Sequence, residues 1–240
     1  MTLDEKALRQ QICDIGRRIY ERGMVAANDG NISVRISGHE FLCTPTGVSK
    51  GYMTPESICR IDESGNILEA HDGYRPSSEM KMHMRVYEKR DDVFAVVHTH
   101  PAFATSFAAV GQPLNEPIMS EAVVSLGCVP LAPFATPSTS EVPDSIEPYL
   151  EDFDAVLLEN HGALTWSSDL LSAYMKMESL EFYAQLMYRS RVLGKATGFS
   201  KEEIKKLAQV RRGMGIGGRY PADRKSDKNC YKCDRCIWKD

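Results

Sequence analysis

The sequence predicts an α/β protein: one domain whose mixed sheet carries helices on both faces. Three observations predict it. Strand-like segments, several closed into hairpins by short polar turns, alternate with helical segments. The valine-rich run before His98 reads as a strand buried on both faces. No linker, repeat or change of composition interrupts the chain before residue 213, and 240 residues suffice to bury one core without staples.

Leu8, Ile12, Ile15 and Ile19 recur at helical spacing over residues 3–22, and Gly23 ends the run. "NDGNISVRI" (28–36) is a turn leading into an alternating strand, and "FLCTPTG" (41–47) is its hairpin partner across "SGHE". "TPESI" (54–58) opens a short helix with proline in the first turn. "ICRID" and "NILEA" form a second hairpin around "ESG". "PSSEMKMHMRVYEKR" (76–90) reads as a helix capped by Ser77 or Ser78. The strand "DVFAVVHTH" (92–100), the helix "AFATSFAAV" (102–110) and the short strand "VPLAPF" (129–134) follow. "SIEPYLED" (145–152) is partly helical, and "DAVLLENHGALTW" (154–166) is a strand, a glycine turn and a strand. A long helix covers 168–193. Ser200 and Glu203 open a last helix, 200–212, as a capping box. Two units result: a domain over 1–212, and a glycine-, charge- and cysteine-rich tail or oligomer arm over 213–240.

Composition narrows the function. A net charge of −4 with 26% charged residues gives no basic surface for nucleic acid or an anionic membrane. No apolar stretch approaches a membrane span, and the N-terminus lacks the basic-then-apolar pattern of a signal peptide. Cys13, Cys43, Cys59 and Cys128 lie among apolar neighbours and read as reduced, buried thiols, so a cytoplasmic location is expected.

Of six histidines, His39 and His71 fall in polar turns and His83 in the helix 76–90. His98 and His100 stand two apart at a strand end, so both imidazoles project to one face, and Pro101 turns the chain away beyond them. Imidazole is the commonest protein donor to zinc-like metals. His161, beside Gly162 in "ENHGAL", ends a second strand. Three such nitrogens leave a fourth position open, as catalytic zinc sites do. Taken singly, each is equally an ordinary hydrogen-bonded strand-end histidine. Glu79 follows Ser77 and Ser78 at a helix start, where unpaired amides and a partial positive charge favour an anion. The same three residues also describe an ordinary capped N-terminus.

In order, the chain reads Gly30-Asn31-Ile32-Ser33, Thr44-Pro45-Thr46-Gly47, Pro76-Ser77-Ser78-Glu79, His98-Thr99-His100-Pro101 and Asn160-His161-Gly162, with "VPLAPFAT" at 129–136. Over roughly residues 5–210 this resembles the class II aldolase/adducin family, whose members include fuculose-1-phosphate aldolase and ribulose-5-phosphate 4-epimerase. The resemblance implies a single α/β/α layered domain with a mixed, mainly antiparallel sheet, and a homotetramer with active sites between subunits. It implies His98, His100 and His161 as ligands of a divalent metal, zinc or else Mn2+ or Co2+. It implies Glu79 as the catalytic carboxylate, able to reach the metal in the empty site. Asn31, Thr46, Gly47, Ser77 and Ser78 match the phosphate cradle. The expected reaction is cleavage of fuculose 1-phosphate or a related deoxy-ketose 1-phosphate to dihydroxyacetone phosphate and a small aldehyde. A 4-epimerase, a methylthioribulose-phosphate dehydratase, a sugar-acid phosphate decarboxylase and a non-catalytic adducin-like assembly module are the alternatives.

One departure bears on the chemistry. Sugar-phosphate aldolases of this family can use a tyrosine between the second histidine and "VPLAPFAT"; here "EPIMSEAVVSLG" (116–127) puts Met119 near that position and holds no tyrosine. Glu121 and, from the C-terminal arm, Tyr220 are candidate substitutes. In the tail, Cys230, Cys233 and Cys236 repeat at Cys-x-x-Cys-x-x-Cys, a spacing suited to zinc or an iron–sulfur cluster, without an evident fourth ligand. His83, four residues after Glu79, shares its helix face and reads as a hydrogen-bonding support under the site, with a fourth metal ligand and a partner that orients Glu79 as the alternatives.

Overall fold

The computed structural model describes residues 4–194 and 196–220. Helix α1 (Glu5–Glu21) precedes strands β1 (Asn31–Arg35), β2 (Glu40–Cys43), β3 (Cys59–Asp62) and β4 (Ile67–Glu69). Then come α2 (Met80–Lys89), β5 (Ala95–Thr99), α3 (Ala102–Ala109), α4 (Ser120–Ser125), β6 (Leu131–Ala132) and α5 (Glu141–Ile146). Strands β7 (Ala155–Leu158) and β8 (Gly162–Ser167) and helices α6 (Leu170–Leu193) and α7 (Lys201–Gly213) complete the chain.

The strands form one sheet in the order β4-β3-β2-β1-β5-β8-β7-β6. All neighbours are antiparallel except β6 and β7. Alternation along the strands sends Ile32, Val34, Ala95 and Val97 to one face, where they join Ile12, Phe107, Ala173 and Leu180 of α1, α3 and α6. Val96, Leu164 and Trp166 face the other way and join Val86 of α2, Ile146 of α5 and Ile204 of α7. The expected three-layer α/β/α architecture with a mainly antiparallel sheet is therefore the observed one. No described helix is long and apolar enough to cross a membrane.

Three local expectations change. The helix after Pro76 begins at Met80, not at the serines. A bridge between Pro45 and Pro76 and the bond from Ser77 N to Thr44 O (3.2 Å) keep the chain extended through Ser77. Helix α5 starts at Glu141, ahead of the expected segment, with Pro143 in its first turn where a missing N–H costs nothing. The first part of the expected arm belongs to the packed body. Arg211 donates to Gly217 O, the Arg219 amide donates to Asp154 (3.0 Å), and Tyr220 is buried under α4 and α7.

Candidate active site

β1, β5 and β8 adjoin at the sheet centre, and the site lies at one end of this trio. His98 is opposite Asn31 on one side and Leu164 on the other. His100 follows β5, its amide held by Met24 O, and Pro101 starts α3. His161 closes the three-residue turn between β7 and β8, in which Asn160 takes a left-handed conformation (φ 57°) that asparagine tolerates. Glu79 caps α2 on the side facing β1 and β5.

The three imidazoles converge, with ligand nitrogens within 4.8 Å of one another. His100 Nε2 is 3.1 Å from His98 Nε2. Glu79 Oε2 lies 3.4 Å from His98 Nε2, and Oε1 lies 3.3 Å from His161 Nε2. Tetrahedral zinc ligands at ~2.0–2.1 Å from the ion stand about 3.3 Å apart. These separations are therefore close to the edges of such a tetrahedron, and the donor set fits a divalent metal.

The tautomers fit as well. His98 Nδ1–H donates to Ala163 O (2.9 Å), which leaves Nε2 bare toward the centre. His100 Nδ1 faces Asp29 Oδ2 at 3.3 Å, which frees its Nε2 in the same way. Burial pushes the pKa of both His98 and His100 down, so both favour the neutral, metal-binding form. Burial alone would raise the pKa of Glu79. The hydrogen bond from His161, the nearby imidazoles and the Asn31 amide outweigh it and hold the carboxyl well below its usual range.

The expected phosphate cradle splits in two. Thr46 and Gly47 form an exposed turn after β2, tied to the serine segment by the bond from Thr46 N to Arg75 O (2.8 Å). Ser77 and Ser78 line a groove of about 580 Å³ with Arg75, Lys81 and Ser140, and Ser78 Oγ meets Ser138 Oγ at 2.9 Å. The two segments adjoin through the Thr46 bond and the one from Ser77 N to Thr44 O, but Thr46 and Gly47 do not line the groove. Asn31 is engaged elsewhere: buried, it donates from Nδ2 to Glu79 Oε2 (2.8 Å), and His83 Nε2 stands 2.6 Å from its Oδ1.

The substitutes for the missing tyrosine do not reach the site within this chain. Glu121 is exposed in the first turn of α4 and accepts from Ser120 Oγ. Tyr220 is buried and donates to Val123 O (2.7 Å). Cys230, Cys233 and Cys236 lie outside the described residues.

Two supporting residues escaped the sequence reading. Asp29 reads in the sequence only as part of a turn. Lys50 is buried and donates to Asn28 O (2.9 Å) and Val48 O (2.8 Å), pinning the turn that carries Asp29 to the one that carries Gly47. Burial pushes its ammonium pKa down to about 8. Nothing in "GVSKGY" signals this; the lysine is defined by carbonyls that only the fold collects.

Residues 10–188 match the family model for the class II aldolase and adducin N-terminal domain. The chain is 36% identical to an L-fuculose phosphate aldolase of Methanococcus maripaludis, with 72% of this chain and 92% of the relative covered. It is 31% identical to a 5-deoxy-D-ribulose 1-phosphate aldolase of Bacillus thuringiensis (86% and 96% covered). It is 32% identical to a 3-oxo-tetronate 4-phosphate decarboxylase of Haemophilus influenzae (78% and 89% covered). Among solved structures, an L-fuculose 1-phosphate aldolase superposes with a TM-score of 0.78 at 29% identity, covering 85% of this chain and 95% of that one.

Proposed function

Because the chain belongs to the class II aldolase and adducin family, we propose that it is a metal-dependent lyase that cleaves a ketose 1-phosphate to dihydroxyacetone phosphate and a small aldehyde. The observation that carries this reading is the placement of Glu79 against His98 and His161, directly after Ser77 and Ser78 in the chain. His98, His100 and His161 would hold the metal, zinc by their donor type. A divalent cation there supplies a Lewis acid for charge developing on the substrate oxygens.

The residues divide the rest of the work. Ser77, Ser78, Thr46 and Gly47 take the phosphate just ahead of α2, with Ser77 and Thr46 offering their hydroxyls because their amides already bond Thr44 O and Arg75 O. Cleavage moves the C4 hydroxyl proton to an acceptor, breaks the C3–C4 bond and leaves the electron pair on the three-carbon fragment. Glu79 then delivers a proton to C3 and is reprotonated from solvent. Its low proton affinity in the free protein arises from the imidazoles. Substrate that displaces it from them removes those contacts, keeps the burial, and so raises its pKa toward the range of a general acid.

A second reading follows from the C4 proton. Residues 116–127 hold no tyrosine and Glu121 is turned to solvent, so the candidates named for this role leave no acceptor at the site among the described residues. Decarboxylation of a 3-oxo acid 4-phosphate needs none: loss of carbon dioxide leaves the same three-carbon fragment, which Glu79 protonates to the same product. The relative at 32% identity supports this alternative.

The assay offers fuculose 1-phosphate, 5-deoxyribulose 1-phosphate and 3-oxo-tetronate 4-phosphate, with and without chelator. It reads dihydroxyacetone phosphate, aldehyde and carbon dioxide separately. Chelator-sensitive aldehyde release supports the aldolase, and carbon dioxide the decarboxylase. No product from any of the three by zinc-loaded protein overturns both. A homotetramer in the cytoplasm completes the proposal. Exposed Met175, Phe182, Tyr188 and Val192 along α6 and the four buried free thiols support it.

A further inference from the structure

We propose that His83 is a positioning residue that orients the Asn31 carboxamide so that its amino edge holds Glu79. This rests on the reading of Glu79 as the proton-transfer group. The residues come from two elements with matched spacing. Glu79, His83 and Tyr87 recur every four residues along α2, while Asn31 and Ser33 share one face of β1. His83 and Ser33 are fully buried, and Asn31 and Tyr87 nearly so.

The proton directions follow from one another. An ionised Glu79 only accepts, so Asn31 must turn Nδ2–H toward it (2.8 Å). That leaves Asn31 Oδ1 facing His83 Nε2 at 2.6 Å, so Nε2 carries the proton. The bare Nδ1 then accepts from Ser33 Oγ–H (2.7 Å). The Ser33 oxygen in turn accepts from the Tyr87 hydroxyl (2.8 Å). Every donor points toward Glu79, and such chains polarise in one sense. A carboxamide is nearly symmetric in shape, so sterics do not choose between its two orientations. Glu79 and His83 choose together: the carboxylate takes the amino edge and the Nε2–H takes the oxygen. Without the Nε2–H donor, the buried Asn31 oxygen loses its partner and the carboxamide can tilt away from Glu79. Burial also pushes the His83 pKa down to about 3, which keeps the ring neutral and the chain of donors unbroken.

Histidine-labelled protein and two variants test this. Nitrogen NMR of the wild-type chain should show His83 as the Nε2–H tautomer at neutral pH, whether or not any substrate turns over. His83→Gln, whose amide places a donor near Nε2, should keep kcat within ~3-fold. His83→Leu should lower kcat ~10–100-fold, the range for loss of a supporting hydrogen bond. Its KM should change less than ~3-fold and its metal content should not change. Exchange of deuterium from solvent into C3 of dihydroxyacetone phosphate should fall with kcat, because it needs only the Glu79 proton transfer. An Nδ1–H tautomer, or wild-type kcat in folded, metal-loaded His83→Leu, overturns the proposal. If His83→Leu does not fold, the tautomer and His83→Gln decide it. A wild-type chain inactive on every sugar phosphate would remove the reading of Glu79 while leaving the tautomer result standing.

Discussion

Gly162 is packed against His100 so closely that a Cβ placed on it would stand 2.6 Å from the ring carbon Cδ2 and 2.5 Å from Thr99 O. The glycine is there for space: β8 can pass beside the imidazoles only without a side chain. Gly162→Ala should therefore push His100 off its present line. We expect at least a ~10-fold loss of zinc affinity and a destabilisation of about 1–3 kcal/mol, the usual cost of overpacking. Zinc titration against a competing chelator and urea unfolding check the two effects, and unaltered affinity would show that the ring position does not depend on Gly162.

The same corner shows what could be read without coordinates. Strand alternation and a helix start constrain direction locally, so the shared face of His98 and His100 and the helix-start position of Glu79 could be read from the sequence. That these residues and His161 belong to one set was implied only by the family resemblance. The engagement of Asn31 with Glu79 was not legible, because it depends on β1 lying beside β5 and beneath α2. A four-residue spacing of Glu79, His83 and Tyr87, set beside Asn31-x-Ser33, was the available signal. The late start of α2 was hidden for a related reason. Ser-Ser-Glu satisfies capping preferences, yet a distant bridge from Pro45 to Pro76 holds the serines extended.

Metal removal should lower both stability and turnover. At a free zinc concentration 100 times Kd, binding adds about 2.7 kcal/mol. For a chain of this size that is a melting shift of about 5–10 °C. Calorimetry with and without chelator should show the shift in the wild type and lose it in His100→Ala. Asp29→Asn keeps the ligands and removes only the charge behind His100, so its Kd for zinc should rise ~10-fold.

Asp154 joins the sheet, α6 and the C-terminal segment. It accepts from Arg90 (2.8 Å), Lys176 (2.8 Å) and the Arg219 amide, and is almost fully buried. Asp154→Asn removes the ion-pair partner of Lys176 among the described residues, in a site where the ammonium can reach little water. A loss of about 3 kcal/mol is expected in urea unfolding. Adding Lys176→Met should restore part of that loss, because the uncompensated cation is then gone. Strict additivity of the two would show that the pair is not the source of the cost. Proteolysis within 213–220 should also quicken in Asp154→Asn if the bond to Arg219 anchors the segment.

His83 also makes stability depend on pH, with a sign that follows from burial. Its pKa falls to about 3 in the folded chain from an ordinary value near 6.5. Between those limits the unfolded chain binds the proton and the folded chain does not. Stability is thus unaffected by this group above pH 6.5 and declines as pH falls toward 3. One proton gives a slope of at most about 1.4 kcal/mol per pH unit. His83→Gln cannot take up that proton in either state. Urea midpoints measured from pH 7 to pH 4.5 on metal-free protein should therefore fall less steeply for His83→Gln than for the wild type. The two curves should run parallel above pH 7. Equal slopes on the acid side would mean that the ring is protonated in the folded state, against the acceptor role assigned to its Nδ1.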